Sequence, residues 1–276
     1  MRKIENDFPI LEKTRIVNLE TKKQNYGDGI LFGERICNFI PKRIFYIYDV
    51  NSSMNRGNHA NINTTMGFVV LKGHCKIVID DGQKKQAFVL DKYSKALICS
   101  PMTWKEMSDF SSDCILMVIC DTYFDADDYI DDYHIFKETC LRLFEKQQIL
   151  LYTPPPPPHA GNVSLLNDNK RIIEIQLNAH SDIRGKLISL EALKNVPFVL
   201  KQICFIYNTM LDESSKEQMI VAISGSCQFI LEQGIEQIKV SLDRPDLALY
   251  AGNDIRCKLK SSSKNCRLLV LSPIEG

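Results

Sequence analysis

The chain has no excess of charge of either sign and no long apolar run. Its 34 basic and 34 acidic residues cancel, so the clustered positive charge typical of nucleic-acid or anionic-membrane partners is not expected. No apolar stretch reaches the roughly 18 residues that a membrane-spanning helix needs. The polar residues 1–7 do not have the pattern of a secretory signal. We therefore expect no nucleic-acid partner and no membrane partner.

Cysteine pairs with metal or redox spacing are also missing, although the chain has ten cysteines. None forms a Cys-x-x-Cys pair, and most lie in apolar runs such as Cys114–Cys120. Scattered cysteines in a chain of 276 residues favour reduced, buried thiols over a disulfide framework. We therefore expect a reducing compartment and a cytoplasmic location. Glycine-rich phosphate loops and the Gly-x-Ser-x-Gly element are absent from the sequence as well.

What the sequence does contain is an internal repeat. Its landmarks recur at offsets of 159 and then 152 residues: Lys42–Asp49 as Lys201–Asn208, Gly73 as Gly225, Gly82 as Gly234 and Cys114 as Cys266. The change in offset means that repeat two is seven residues shorter between the equivalents of Asp49 and Gly73. In repeat one this interval contains His59, and in repeat two it contains no histidine.

The repeat predicts two modules joined by a linker. We place the first module at 1–145, a proline-rich linker at 146–170 and the second module at 171–276. The prolines of Pro154–Pro158 favour a polyproline spacer of about 15 Å, and an SH3 or WW ligand is the alternative. An acidic and then periodic segment from Asp125 to Lys146 predicts a helix that closes the first module.

Within each repeat the pattern is mostly that of short strands. Apolar or β-branched runs such as Gly67–Leu71 and Ile115–Ile119 are bounded by glycine, Asp-Gly and Ser-Pro. Asp81-Gly82 predicts a hairpin turn. Many short strands with no alternation of strand and helix favour an antiparallel barrel or jelly roll.

His59 is the strongest candidate for chemistry among the five histidines, which are His59, His74, His134, His159 and His180. It lies in Arg56-Gly57-Asn58-His59-Ala60-Asn61, at the predicted start of a strand. Alternate residues of a strand share a face, so His59 and Asn61 are expected to point the same way. A single strand histidine is, by itself, more often structural than catalytic, and the residues alone leave both possibilities open.

Several motifs of repeat one resemble one family as a set. They are Lys42–Asp49, Arg56-Gly57-x-His59-Ala60, Pro101-Met102-x-Trp104-x-Glu106 and the tail Asp125-x-x-Asp128-Tyr129. Over residues 25–140 the chain resembles the WxcM-like sugar nucleotide 3,4-ketoisomerases, which act on dTDP-4-keto-6-deoxyglucose. Repeat two resembles only the family's opening segment, at Asp182-x-Arg184-Gly185. The resemblance implies an all-β fold of two tandem cupin (RmlC-like jelly roll) modules with a degenerate second module, and it leaves open a pseudo-dimer within one chain.

The resemblance also implies an isomerase that moves a ketone between C4 and C3 of a dTDP-linked sugar in surface polysaccharide synthesis. No cofactor and no metal are expected, because proton transfer suffices and His59 has no histidine two residues later. The catalytic candidates are His59 and Asn61, where the family has His-x-His. The substrate-binding candidates are Arg43, Tyr46, Tyr48, Arg56, Trp104, Glu106 and Arg184.

Asn61 leaves the mechanism open, because an amide hydrogen-bonds but does not carry a proton. Either His59 acts alone, or the catalysed step has changed, or the protein binds without turnover as a degenerate accessory protein of the same pathway. Repeat one has Asp28-Gly29 where the family has Arg-Gly, so we hypothesise that Arg184 crosses to the repeat-one site. The alternative to substrate binding is that Trp104 packs in the core and that Glu106 is a surface charge. A homodimer is also left open.

Overall fold

Antiparallel strands make up almost all of the regular structure. The computed structural model describes residues 14–33, 37–91, 93–146 and 172–273. The strands of repeat one are β1 (Arg15–Asn18), β2 (Thr21–Gln24), β3 (Gly27–Gly33), β4 (Arg43–Tyr48), β5 (Arg56–Asn61), β6 (Met66–Lys72), β7 (Cys75–Asp80), β8 (Lys85–Leu90), β9 (Lys95–Cys99), β10 (Trp104–Ser108), β11 (Ile115–Cys120) and β12 (Tyr129–Ile130). Those of repeat two are β13 (Ile172–Gln176), β14 (Ala179–Asp182), β15 (Gly185–Glu191), β16 (Gln202–Thr209), β17 (Glu213–Ser214), β18 (Gln218–Ser224), β19 (Cys227–Gln233), β20 (Glu236–Leu242), β21 (Leu247–Ala251), β22 (Arg256–Ser262) and β23 (Arg267–Ser272).

The described residues contain one α-helix, α1 (Tyr133–Lys146). The predicted all-β fold is therefore confirmed. Nine of the ten cysteines are buried, as expected for thiols that act as small apolar groups. The predicted linker lies outside the described residues apart from its first residue. In the part of the chain that is described, no helix combines the length and the apolar composition required to cross a bilayer.

The chain forms two compact units whose bounds differ from those of the two sequence modules. Of the described residues, the first unit takes those within Met1–Val17, Ile47–Ser164 and Asp182–Gly185. The second unit takes those within Asn18–Tyr46, Leu165–Ser181 and Lys186–Gly276. Each unit therefore contains residues of both repeats, which is what strand exchange within a single chain requires.

The first unit is built on a sheet with the strand order β12-β5-β10-β7-β8, and β1, β9, β6 and β11 are neighbours in that order in another sheet. Alternation along β7 buries Cys75, Ile77 and Ile79, whereas Lys76 and Val78 stay partly exposed. This pattern fixes the register, since a slip of one residue would expose the buried set. The hairpin predicted at Asp81-Gly82 joins β7 to β8, which pair antiparallel.

The helix that closes repeat one is shorter than the sequence predicts. The Asp125 carboxylate accepts a hydrogen bond from a backbone amide of a 3₁₀ turn, Ala126–Asp128, and β12 follows. The Asp132 carboxylate accepts from the backbone amides of His134 and Ile135, at 2.7 and 3.0 Å, and so caps the start of α1. The acidic residues therefore end turns and cap the helix rather than extend it. As a result β12 pairs with β5.

The second unit contains a sheet with the order β13-β21-β18-β23-β16-β3-β2 and a four-stranded sheet with the order β17-β22-β19-β20. Strand β3 of repeat one pairs antiparallel with β16 of repeat two. The apolar core between the strands includes the fully buried Tyr26, Phe229 and Leu268. Strands of the first repeat therefore help to complete the second unit.

Candidate functional site

A β-bulge in β5 decides which of its side chains share a face in the first unit. Strand β5 pairs antiparallel with β10, with His59 opposite Lys105 and Arg56 opposite Met107. Two steps along β10 thus correspond to three along β5, and the extra residue is Asn58, whose φ is 55°. Simple alternation would place Arg56 and His59 on opposite faces. The bulge places both on the face that carries Lys105.

Gly57 permits this bulge. Its φ is +84°, and a Cβ atom there would lie 2.5 Å from the carbonyl oxygen of Lys105. A side chain at this position would therefore be strained by the backbone conformation and blocked by the neighbouring strand. The glycine of Arg56-Gly57-x-His59 is thus the residue that allows the arginine and the histidine to share a face.

The His59 imidazole is partly buried, and its ring centroid lies 4.9 Å from that of Tyr129. Its Nδ1 lies 3.1 Å from the carbonyl oxygen of Gly57. Because a carbonyl only accepts, Nδ1 carries the hydrogen and Nε2 presents a lone pair. Burial, and then the positive charge of Lys105, lower the pKa of His59 to about 4. The ring is therefore neutral at pH 7 and has a basic nitrogen available.

Lys105 is a buried cation on this face, with 3% of its surface exposed. Its Nζ donates to the Asn61 side-chain oxygen at 2.9 Å and to the Thr103 carbonyl at 3.2 Å. Burial lowers the pKa of Lys105 to about 8, although nearby thiols and the Asp128 carboxylate act in the opposite direction. The neutral His59 imidazole, which can accept a proton, and the Lys105 ammonium, which carries one, are therefore opposite each other on the paired strands β5 and β10.

Asn61, only 1% exposed, connects Lys105 to Asp128. Its Nδ2 donates to the Asp128 carboxylate at 3.0 Å, while its Oδ1 accepts from Lys105. The carboxylate also accepts from the Asn63 backbone amide at 2.6 Å and from the Thr64 hydroxyl. These bonds compensate for the burial of two opposite charges. Both ends of the amide are therefore engaged in holding Lys105 and Asp128.

Two arginines share one carboxylate at the start of β5. Arg56 donates from Nε to the Arg184 carbonyl at 3.3 Å, and its Nη2 lies 3.7 Å from Asp182. The exposed Arg184 guanidinium donates twice to the same carboxylate, which lowers the pKa of Asp182 to about 2. With two cations and one anion the cluster is net positive. Asp182 and Arg184, although they come from repeat two, belong to the first unit.

The structural counterpart of Arg184-Gly185 in repeat one is Tyr26-Gly27, so the alignment with Asp28-Gly29 is wrong. Gly27 and Gly185 have φ values of +137° and +119°, and each begins a seven-residue strand. A Cβ atom on either would lie 1.8 or 2.6 Å from a backbone oxygen of the paired segment. Two glycines flank Asp28 in the sequence, and only Gly27 has a positive φ.

Trp104 and Glu106 lie on the other face of β10, away from His59. The indole Nε1 of Trp104 donates to Glu106 at 3.2 Å, and the indole packs edge-on against Tyr133 of α1 at 5.1 Å. Trp104 also belongs to a buried apolar cluster that includes Phe136 of the same helix. The structure thus brings these two predicted binding residues to each other but not to His59.

The three predicted residues of β4 are divided between the units. Arg43 and Tyr46 fall in the second unit and Tyr48 in the first. All three are buried, and the Tyr46 hydroxyl donates to the carbonyl of Pro245, within the second unit. Of the three, only Tyr48 therefore shares a unit with His59.

The other histidines lie apart from this face. His74 and His180 are exposed, and His134 is 82% exposed with Nδ1 3.6 Å from Glu138 of the same helix. His159 lies outside the described residues. Across the described ranges, no group of three or more histidine, cysteine or acidic side chains is placed to hold a metal ion.

Sequence patterns did not single out Lys105 and Asp128 as site residues, or Tyr129. Lys105 lies between Trp104 and Glu106, so strict alternation already places it on the opposite face from those two residues. Its position opposite His59, however, follows from the pairing of β5 with β10 and from the bulge. Asp128 and Tyr129 reach the site because β12 pairs with β5.

Comparison with known proteins identifies a family whose model matches both repeats. The family model described as FdtA, WxcM-like, C-terminal, matches residues 12–140 and 168–275. The TDP-4-oxo-6-deoxy-alpha-D-glucose-3,4-oxoisomerase of Aneurinibacillus thermoaerophilus is 41% identical over 127 residues, which are 46% of this chain and 91% of that protein.

Solved structures of similar proteins also align with about half of the chain. WlaRA, a TDP-fucose-3,4-ketoisomerase from Campylobacter jejuni, is 39% identical, with a TM-score of 0.46, over 48% of this chain and 98% of its own. QdtA, a sugar 3,4-ketoisomerase from Thermoanaerobacterium thermosaccharolyticum solved with TDP, is 27% identical, with a TM-score of 0.46, over 49% and 98%. Since the family model matches most of the chain, in both repeats, the predicted resemblance is confirmed and the chain belongs to the WxcM-like family.

Proposed function

We propose that this chain is a nucleotide-sugar 3,4-ketoisomerase that acts on a TDP-linked 4-keto-6-deoxyhexose, with His59 of the first unit as the proton-transfer base. The family match and the 41% identical oxoisomerase support the enzyme class. The observation that carries the residue assignment is the pairing of a neutral His59 with a buried Lys105 on one face of the sheet.

The reaction needs a base and a stabiliser of negative charge. Moving the ketone from C4 to C3 removes the proton at C3, forms an enediolate that spans C3 and C4, and returns a proton to C4. Electrons are only redistributed within the sugar. Because His59 donates from Nδ1 to Gly57, Nε2 is the nitrogen that takes the C3 proton and later delivers one to C4.

Lys105 supplies the positive charge that the enediolate requires. With its pKa near 8, most Lys105 side chains are protonated at pH 7. A buried ammonium stabilises a developing oxyanion more than an exposed one, since water does not screen it. Asn61 holds this ammonium from one side and is linked to Asp128 on the other. Asn61 is then a positioning residue, and a second histidine is not needed for proton transfer.

The arginine cluster is suited to the diphosphate of the substrate. Arg56 and Arg184 share a single carboxylate, Asp182, so positive charge remains for a phosphate oxygen. Because of the bulge, Arg56 and His59 lie opposite Met107 and Lys105, two residues apart on β10, which is a separation of roughly 7 Å along the sheet. That separation suits a substrate whose sugar ring lies at His59 and whose phosphates lie at Arg56.

We also place the reaction in the cytoplasm, as part of surface polysaccharide synthesis. The ten free cysteines support a reducing compartment. The nucleotide-linked sugars named for the related enzymes support the role in surface polysaccharide synthesis.

The test is to incubate the full chain with TDP-4-keto-6-deoxyglucose in deuterated water and to follow C3 and C4 by NMR. The proposal predicts deuterium at C3 of the recovered 4-keto sugar and at C4 of the 3-keto product, and His59→Ala is expected to abolish both. Tight binding of the substrate with no deuterium at C3 would instead establish the alternative of an accessory binding protein.

A further inference from the structure

The second unit presents the same strand pairing as the first at the position of the catalytic pair. Strand β17 pairs with β22, and Ser214 lies opposite Cys257. Cys257 follows Lys105 by the repeat offset of 152 residues. Ser214 therefore occupies the position of His59, and Cys257 occupies that of Lys105.

This replacement removes proton transfer from the second unit. A serine hydroxyl does not titrate near neutral pH. Burial raises the pKa of the Cys257 thiol to about 12, so the thiol remains neutral. The position that carries a base and an acid in the first unit carries two neutral groups here.

A cavity nevertheless remains beside Ser214, with a volume of about 180 Å³. At roughly 30 Å³ for each water molecule, this is room for a group the size of one monosaccharide. Its lining residues include three with side-chain amides, Gln24, Asn25 and Gln218, and two with hydroxyls, Ser214 and Ser272. Amides and hydroxyls each donate and accept hydrogen bonds, as the hydroxyls of a sugar require.

Packing below the cavity limits its depth. The Tyr26 ring is fully buried, meets Phe229 edge-on at 5.3 Å, and accepts a hydrogen bond from Gln218 at 2.9 Å. Its hydroxyl also donates to the Cys257 carbonyl at 3.2 Å. The interior beneath Gln218 is therefore filled by the protein, so a ligand is confined to the mouth of the unit.

The mouth of the cavity carries positive charge. Lys23 and Lys216 line it and are exposed. The one acidic lining residue, Glu217, accepts a hydrogen bond from the Tyr250 hydroxyl at 2.8 Å. Two lysines at the rim of a polar, sugar-sized cavity are suited to a phosphate attached to a sugar.

From these observations we propose that the second unit holds a non-catalytic binding site for a glycosyl phosphate, with the sugar beside Ser214 and the phosphate between Lys23 and Lys216. The ligand is either a free sugar phosphate or the glycosyl phosphate end of a nucleotide sugar. The chain would then bind two ligands and transform one.

The test is hydrogen–deuterium exchange with mass spectrometry on the full chain, with glucose 1-phosphate and with TDP-glucose as probes. Binding is expected to slow exchange in residues 23–27 and 213–218. Protection by both probes identifies a free sugar phosphate as sufficient, and protection by TDP-glucose alone identifies the nucleotide-linked form. Absence of protection with both probes overturns the proposal.

Charge reversal provides the second arm. In the double variant Lys23→Glu with Lys216→Glu, the ligand concentration that gives half-maximal protection is expected to rise about tenfold or more, because charge-assisted contacts are lost. The matched control is Lys22→Glu with Lys239→Glu, two exposed lysines of the same unit outside the cavity, which should leave the protection unchanged. Equal weakening by both pairs would show a general charge effect and overturn the site. His59→Ala should retain the protection, so this site and the isomerase proposal fail independently.

Discussion

The two units place different side chains on the same pair of strands. In the first, β5 and β10 set His59 opposite Lys105, and in the second, β17 and β22 set Ser214 opposite Cys257. The strand pairing at this position is shared, whereas the imidazole and the ammonium are present only in the first unit. The comparison teaches that the strand pairing is kept in a repeat whose two facing side chains are replaced, even though its strand β17 has two residues where β5 has six.

The segments that each repeat contributes to the other unit also differ in charge: the first unit receives a charged side chain and the second an uncharged one. Arg184, in the first unit, is exposed and paired with Asp182. Its counterpart Tyr26, in the second unit, is fully buried and hydrogen-bonded to Gln218. The same position thus carries an exposed charged side chain in one unit and a core side chain in the other.

Of the changes that remove a difference between the two units, removal of the His59 imidazole should have the largest effect on activity. We expect His59→Ala to lower kcat by about 10⁴, at the upper end for a lost general base, because the methyl side chain leaves no titratable group in the position equivalent to Ser214. The measurement is deuterium incorporation at C3. His74→Ala, which removes an exposed histidine of the same unit, is the control and should keep the wild-type rate. Exchange at C3 that persists in His59→Ala would assign the chemistry elsewhere.

Removal of the Lys105 charge should come second. For the wild type we expect kcat/KM to fall below a pH of about 4, where His59 becomes protonated, and above about 8, where Lys105 loses its proton. Lys105→Met should lower kcat about 10²-fold and abolish the upper limb. It should also move the lower limb to higher pH, since a positive charge near His59 is lost.

The control for Lys105 is Lys76→Met, which neutralises a partly exposed lysine on the other face of the neighbouring strand β7. It should leave both limbs in place. A pH profile of Lys105→Met that keeps its fall near pH 8 would show that another group titrates there.

The sequence predicts one part of this site well and another part poorly. Strand alternation suffices to place His59 and Asn61 together. It fails for Arg56, because the bulge at Asn58 changes the count, and it gives no information on Lys105 until the pairing of β5 with β10 is known. The predicted helix likewise missed β12, since tertiary pairing with β5 overrode a local acidic pattern.

Closing the bulge should have an intermediate effect. Gly57→Ala forces a Cβ atom to within 2.5 Å of the Lys105 carbonyl, so we expect β5 to shift, with kcat about tenfold lower and unfolding easier by about 1–3 kcal/mol. Gly234→Ala is matched in φ, at +61°, but has no atom within 4 Å, and it should cost stability without affecting kcat. If the two variants behave alike in kcat and in urea unfolding, the bulge does not position the site.

The smallest effect should come from Tyr26, and it should appear in stability. Tyr26→Phe keeps the buried ring but leaves the Gln218 amide and the Cys257 carbonyl without the hydroxyl that joins them. Buried polar groups that lose a partner cost about 1–3 kcal/mol, so urea unfolding should become easier by that amount. Tyr250→Phe also removes one hydroxyl, but its partner Glu217 is partly exposed and regains water, so its cost should be smaller. An equal loss of unfolding free energy in the two variants would mean that the Tyr26 hydroxyl, unlike the exposed Arg184 at the equivalent position, is not buried away from water as the structure indicates.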